Sequence, residues 1–211
     1  MSAPERFDLA ALAPQPWKNG AGLTREIAAG GADAAGEADA AGAFGWRISV
    51  AEVERDAPFS AFPGIDRCIV LLEGAGMRLR SRNTAADAIA TIDHALTEPL
   101  APFRFDGAIA LDATLAGGPS RDFNVMTRRG AFRSEVACLR GPADIRAADV
   151  ILLFGCTGAW SLDFGAAAPL FLAPLHALLW RTPPAAPLRV APIGVDAAAL
   201  LCVRLCHDRS P

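Results

Sequence analysis

One lysine stands in a chain that otherwise carries its basic charge on 19 arginines: Lys18, inside the run Pro16, Trp17, Lys18, Asn19, Gly20. An ammonium is a compact point charge and a guanidinium a planar fork. A single lysine beside an Asn-Gly turn is either a position that wants the compact cation or an exposed residue at a hairpin. Downstream, Thr24 and Glu26 alternate with Leu23, Arg25 and Ile27. Arg25 therefore falls on the apolar face, where it must be paired, face a cavity, or snorkel to solvent from an edge strand. Between Phe44 and Val53, Trp46, Ile48 and Val50 share one face while Arg47, Ser49 and Ala51 share the other. Farther on, Asp122, Asn124, Met126 and Arg128 share a face that either is solvated or lines a pocket. The segment from Phe59 to Arg67 is dense in aromatic and turn residues and leads into an apolar run. Cations and neutral hydrogen-bonding groups recur here on faces that also carry apolar residues.

Several other chemistries are excluded. No serine sits in a Gly-x-Ser-x-Gly frame. Gly20, Ala21 and Gly22 imitate a phosphate-cradling loop but follow no strand-to-helix unit. His94, His176 and His207 are isolated, and Cys202, Cys206 and His207 are too few ligands for a closed zinc site. The five cysteines are widely spaced and read as reduced, buried thiols. No metal and no other cofactor is expected. A net charge of -3 and scattered arginines argue against nucleic acid as a partner. The longest uncharged run, 164–180, contains Pro169, Pro174 and His176 and is too short to span a membrane. Residues 1–12 have no secretory pattern, so the expected location is cytoplasmic.

The elements that must position these residues are short. Glycine and proline number 19 and 16, which cuts the chain into strand-length pieces. Residues 29–43 are low in large apolar side chains and read as a mobile loop. Cys68 to Leu72, a turn at Glu73 to Gly76, and Met77 to Arg82 read as strand, turn, strand, and Val150 to Phe154, Gly155 to Gly158 and Ala159 to Asp163 repeat that order. Leu100, Ala101, Pro102 and Leu172, Ala173, Pro174 follow as a second echo. Together they suggest an internal duplication into two small antiparallel barrels or sandwiches. The expectation is an all-β protein with halves at 1–115 and 116–211.

The stretches PWKNGAGLTREIA, WRISVAEV, PFSAFPGIDRCIVLLEGAG and GGPSRDFNVMTRRG resemble, in this order, the HutD/Ves family of bacterial cupin-fold proteins over most of the first 130 residues. The resemblance implies a cupin-like chain with two β-barrel halves, a bicupin, associated with histidine utilisation. It also implies that the protein binds a small carboxylate metabolite such as N-formylglutamate or urocanate and moderates expression of the histidine-degradation genes. Where metal-binding cupins carry histidines this chain has Ser60 and Phe62, and their glutamate falls near Asp66.

For such a ligand, Lys18, Arg25, Arg47 and Arg67 are the expected cationic contacts, with Asn19, Ser49 and Asn124 orienting it and Asp66 holding Arg67 or a neighbouring arginine. Expected partners are the metabolite and, in a homodimer, a second copy. Two other readings stay open: a metal-independent isomerase or hydrolase using Lys18 or Glu52 as acid or base, and an interaction module with no small-molecule site.

Overall fold

The structure, a computed structural model, describes residues 3–31, 44–82, 91–165, 168–183, 187–194 and 197–209. Most of the expected loop at 29–43 lies outside them; Ala29 and Gly30 close a strand. In chain order the strands are β1 (Glu5–Asp8), β2 (Gln15–Pro16), β3 (Gly22–Gly30), β4 (Trp46–Val53), β5 (Ala57–Phe59), β6 (Ile65–Glu73), β7 (Met77–Ser81), β8 (Asp93–Leu96), β9 (Pro102–Asp106) and β10 (Leu111–Leu115). There follow β11 (Ser120–Arg128), β12 (Phe132–Leu139), β13 (Ala143–Ile145), β14 (Val150–Thr157), β15 (Ala159–Asp163), β16 (Leu170–Leu172), β17 (His176–Trp180), β18 (Leu188–Ile193) and β19 (Ala199–His207). Among the described residues the sole helical element is one 3-10 turn, Leu9–Ala11. The protein is all-β, and no described helix is long and apolar enough to cross a membrane.

The chain forms two compact units, one of residues 13–132 and one of residues 3–12 with 133–209. The expected division after residue 115 would cut β11 from both of its neighbours, β4 and β6, so the boundary lies beyond it. In the first unit a six-stranded sheet, β2-β3-β4-β11-β6-β9, accompanies a four-stranded one, β5-β10-β7-β8. Val53, Ile69 and Leu71 from the larger sheet meet Met77, Leu79 and Leu111 from the smaller in one buried cluster. Strict alternation makes this possible: on β7, Met77 and Leu79 are inside while Arg78 and Arg80 are outside. The second unit repeats the plan with β1-β17-β14-β19-β12 and β13-β18-β15-β16 around Leu153, Trp160, Leu178 and Leu200. Each unit is thus a pair of open sheets, which agrees with the sandwich alternative and not with the closed barrel that the resemblance implies.

The duplication is visible strand by strand, since β5 to β10 and β13 to β18 occupy matching sheet positions, as do β4 and β12 and β11 and β19. The ladder irregularities match as well. Leu72 is skipped where Arg121 pairs with Glu73 and Asp122 with Leu71, and Cys156 is skipped where Thr157 pairs with Ala199 and Gly155 with Leu200. Leu100 donates its N–H to the Leu71 carbonyl at 2.9 Å and Leu175 to that of Gly155 at 2.7 Å. Among the described residues those two leucines are the non-glycine residues with positive φ, 64° and 59°. The true counterparts are therefore Pro99-Leu100 and Pro174-Leu175, and Gly74 matches Gly158, which both take positive φ in their turns. Gly155 is inside β14, and the Leu-Ala-Pro echo is three residues out of register, a coincidence that a chain rich in alanine and leucine makes easy. All five cysteines are free, and burial pushes the thiols of Cys68 and Cys202 up to about 11.

The alternation on β7 has a measurable consequence. Leu79→Ala, which opens a cavity between the sheets, should cost about 2–5 kcal/mol in a urea unfolding series. Arg80→Ala, on the exposed face, should cost less than about 1 kcal/mol despite its contact with Asp93.

Candidate functional site

The central strands of the six-stranded sheet set polar side chains in adjacent rungs on one face. Arg47, Met126 and Arg67 lie side by side across β4, β11 and β6, and Ser49 and Asn124 form the next rung. Above them opens a cleft of about 680 Å3 within residues 13–132. Trp17, Lys18 and Asn19 of the β2–β3 turn form one wall, and the segment Phe59–Phe62 forms another. The turn is held locally: Asn19 Oδ1 accepts from the Ala21 N–H at 3.1 Å, and the Trp17 indole N–H donates to Thr24 Oγ1 at 2.8 Å. The Trp17 ring stands edge-on to Phe59 with centroids 5.8 Å apart.

Arg67 sets the chemistry. Its residue surface is 9% exposed, and among the described residues no carboxylate pairs with it. Three phenylalanine rings surround its guanidinium, Phe59, Phe62 and Phe105, at 5.6, 5.5 and 5.1 Å from their centroids. One nitrogen, Nη2, donates to Asn124 Oδ1 at 2.9 Å, and Nε has no partner. Burial, with a smaller contribution from the neighbouring Arg47, lowers its pKa to about 10. At neutral pH it remains charged. Aromatic faces offset part of the lost hydration, but they leave a desolvated cation with an open donor. Arg47, by contrast, has an acidic partner, its Nε donating to Glu26 Oε2 at 2.7 Å.

Six of the eight expected residues line the cleft: Lys18, Asn19, Arg47, Ser49, Arg67 and Asn124. The other two are elsewhere, for reasons of strand parity. Arg25 is opposite Val50, on the reverse face from Thr24 and Ala51, and is paired with Glu52. Asp66 precedes Arg67 and so points the other way, where its carboxylate takes Arg129 at 2.6 Å; the arginine it holds is Arg129 rather than Arg67. Glu52, occupied by Arg25 and within 3.7 Å of Arg121, does not line the cleft, whereas Lys18 does.

Two features were not foreseen. Phe105 reaches Arg67 because β9 pairs with β6 and sets the two residues opposite each other, a long-range register with no local signal. Asp122 is wholly buried one rung from Asn124, its Oδ1 accepting from Ser120 Oγ at 3.1 Å and its Oδ2 unpartnered. Burial raises its pKa to about 7, against the opposing effect of the Ser120 bond. Among the described residues no three His, Cys, Asp or Glu side chains converge as metal ligands. The cleft's cations suit an anion and not a divalent metal.

Comparisons with known proteins agree on the lineage. The HutD family matches residues 9–196. A 21.2 kDa uncharacterised protein of Pseudomonas putida, from the region 3' of hutC, is 33% identical over 146 residues, covering 67% of this chain and 68% of that protein. Among solved structures, a conserved protein of unknown function from Pseudomonas aeruginosa PAO1 superposes with a TM-score of 0.79 at 30% identity, over 97% of this chain and 100% of that one. HutD from Pseudomonas fluorescens SBW25, in a formate condition, gives 0.75 at 25% identity over 97% and 99%. Oxalate decarboxylase of Bacillus subtilis gives 0.65 at 7% identity over 97% and 78%, which is a likeness of cupin-like fold alone.

Asp122 predicts a pH dependence whose sign is fixed. With a folded-state pKa raised above the unfolded value, the folded protein holds a proton that the unfolded chain gives up. The stabilisation is complete below about pH 4 and is lost as pH rises through about 7. Asp122→Asn, which cannot ionise, should flatten this component, so that its thermal midpoint gains on the wild type by a few degrees between about pH 5 and 8. Parallel curves for the two proteins across that range would contradict the assignment.

Proposed function

The chain belongs to the HutD family, and on that premise we propose that it binds a small carboxylate metabolite in the cleft of residues 13–132 and so moderates histidine utilisation. N-formylglutamate and urocanate are the candidate ligands. The observation that carries this reading is Arg67: a buried cation with three aromatic neighbours, no counter-charge among the described residues and an unused N–H. A carboxylate arriving there replaces lost hydration with charge-assisted hydrogen bonds on both sides. Lys18 and Arg47 supply further positive charge, and Ser49, Asn19 and Asn124 supply neutral hydrogen-bonding groups around it. The matched strand orders of the two units support a bicupin reading, in which the second half is a copy without closed barrels. A cytoplasmic location fits a protein that senses a catabolic intermediate.

The competing enzymatic reading rests on Lys18, the cleft's one lysine, as an acid or base. Incubation with N-formylglutamate and urocanate separates the two, because a sensor binds its ligand and returns it unchanged whereas an isomerase or hydrolase consumes it. An interaction module with no small-molecule site binds none of them.

Calorimetry with N-formylglutamate, urocanate and formate supplies the test. Saturable binding by the wild type is expected, with Arg67→Ala losing about 2–5 kcal/mol because the ligand's charge is left buried and unpaired. Arg25→Ala, on the reverse face, should change affinity by less than about 1 kcal/mol. Equal losses in both variants, or none in Arg67→Ala, would remove the site from Arg67.

A further inference from the structure

The second unit carries a surface that the ligand cleft does not explain. Strand β1 is the last in its sheet, pairing with β17 on one side and, among the described residues, with nothing on the other. Leu9 donates its N–H to the Leu175 carbonyl at 3.0 Å in the same register that places Phe7 opposite Ala177. By the alternation of an antiparallel ladder, Glu5, Phe7 and Leu9 then bond inward to β17, and Arg6 and Asp8 turn their backbone N–H and C=O to the open side. Arg6 and Asp8 also share a side-chain face with His176, bordering a groove of about 280 Å3. Phe171 lines the same groove from β16, itself an edge strand, and is 65% exposed, the most exposed large apolar side chain described.

An unpaired edge invites another strand, and proteins commonly guard such edges with charge. Here the charges select instead. Two copies of β1 paired about a two-fold axis can bond through Arg6 and Asp8 in three registers. If Arg6 faces Arg6, or Asp8 faces Asp8, like charges meet on the axis, which is unfavourable for directly opposed residues. If Phe7 lies on the axis, Arg6 of each copy faces Asp8 of the other, twice, and the two Phe7 rings are neighbours. Within one chain no ion pair joins Arg6 to any described residue, so its charge is available. Asp8 Oδ1 accepts from the Ala10 N–H at 3.0 Å, which leaves Oδ2 for an arginine.

We infer that the β1 edge and the groove beside it form an isologous contact that joins two copies of this chain into a symmetric dimer, with Phe7 on the two-fold axis and Arg6 opposite Asp8 of the second copy. A four-residue strand is a small contact by itself, and standard interfaces bury about 800 Å2 per partner. The exposed Phe171, on the edge of the accompanying sheet, supplies the apolar contribution, as the same patch must do in both copies of an isologous contact. The partner is a second copy rather than another protein because the patch is complementary to itself.

Sedimentation equilibrium of the full chain from about 1 to about 200 µM reads this directly. The wild type should pass from the 22.0 kDa monomer to twice that mass. Arg6→Asp, which places two acidic pairs across the axis, should weaken the dimer at least about tenfold. The exchange variant Arg6→Asp with Asp8→Arg should restore it to within about threefold, since each opposed pair is again of unlike charge. Phe171→Glu should also weaken it, and thermal melts establish that each variant is folded. A wild type that stays monomeric throughout overturns the proposal. So does a dimer indifferent to both Arg6→Asp and Phe171→Glu, or a folded exchange variant that stays monomeric.

Discussion

A guanidinium that no described carboxylate pairs, enclosed by three aromatic rings, is the constraint around which the first unit is arranged. Burying a cation costs several kcal/mol after relaxation, so the sheet must supply partial substitutes. Asn124 arrives on the neighbouring strand in register with Ser49, and Phe105 arrives on the other side of β6. Phe59 ends β5 and Phe62 immediately precedes the turn that leads into β6. None of these is a carboxylate. Each offsets the cost without neutralising the charge, which is the condition that leaves Arg67 able to discriminate an anion from a neutral molecule of the same shape. Three acidic groups on the strands of this sheet are engaged with other arginines: Glu26 with Arg47, Glu52 with Arg25, Asp66 with Arg129. Asp122, buried one rung away, has its pKa raised to about 7 and is largely neutral in mildly acid solution.

The duplicated plan shows what the same scaffold becomes without that cation. By the matched ladders, Arg67 corresponds to Ile151, Asn124 to Cys202, Asp122 to Leu200 and Phe105 to Trp180. All four substitutes belong to the buried apolar cluster of the second unit. One half therefore keeps a polar floor under an open cleft, and the other has converted the same positions to core. A fold does not by itself specify a function, and the two halves of this chain illustrate it with matching strand orders and opposite chemistry.

Much of this was legible from alternation alone. Arg47, Ser49 and Ala51 against Trp46, Ile48 and Val50 assigns β4's faces correctly, and Asn124 and Met126 follow by the same parity. Parity does not say which face of a strand opens on a cleft. Arg25 was correctly put with the apolar face of β3, but that face is where Glu52 waits, not where the ligand space lies. Asp66 and Arg67, adjacent in sequence, were expected in one site, yet successive residues of a strand point to opposite sides. The long-range pairings were out of reach: nothing near Arg67 announces Phe105, and repeated Leu-Ala-Pro disguised the true register of the duplication until the hydrogen bonds of Leu100 and Leu175 fixed it.

The central claim is that Arg67 is held at a cost that an anion relieves. The most direct measurement is the thermal midpoint of the wild type and of Arg67→Met, each with and without N-formylglutamate or formate. Methionine fills similar space among the phenylalanines without a charge, so the unliganded variant should melt at the same temperature as the wild type or higher, as replacement of buried ions by apolar groups often does. Added carboxylate should raise the midpoint of the wild type and leave that of the variant where it was. An unliganded variant that melts several degrees lower, with its carboxylate-induced rise intact, would contradict the claim.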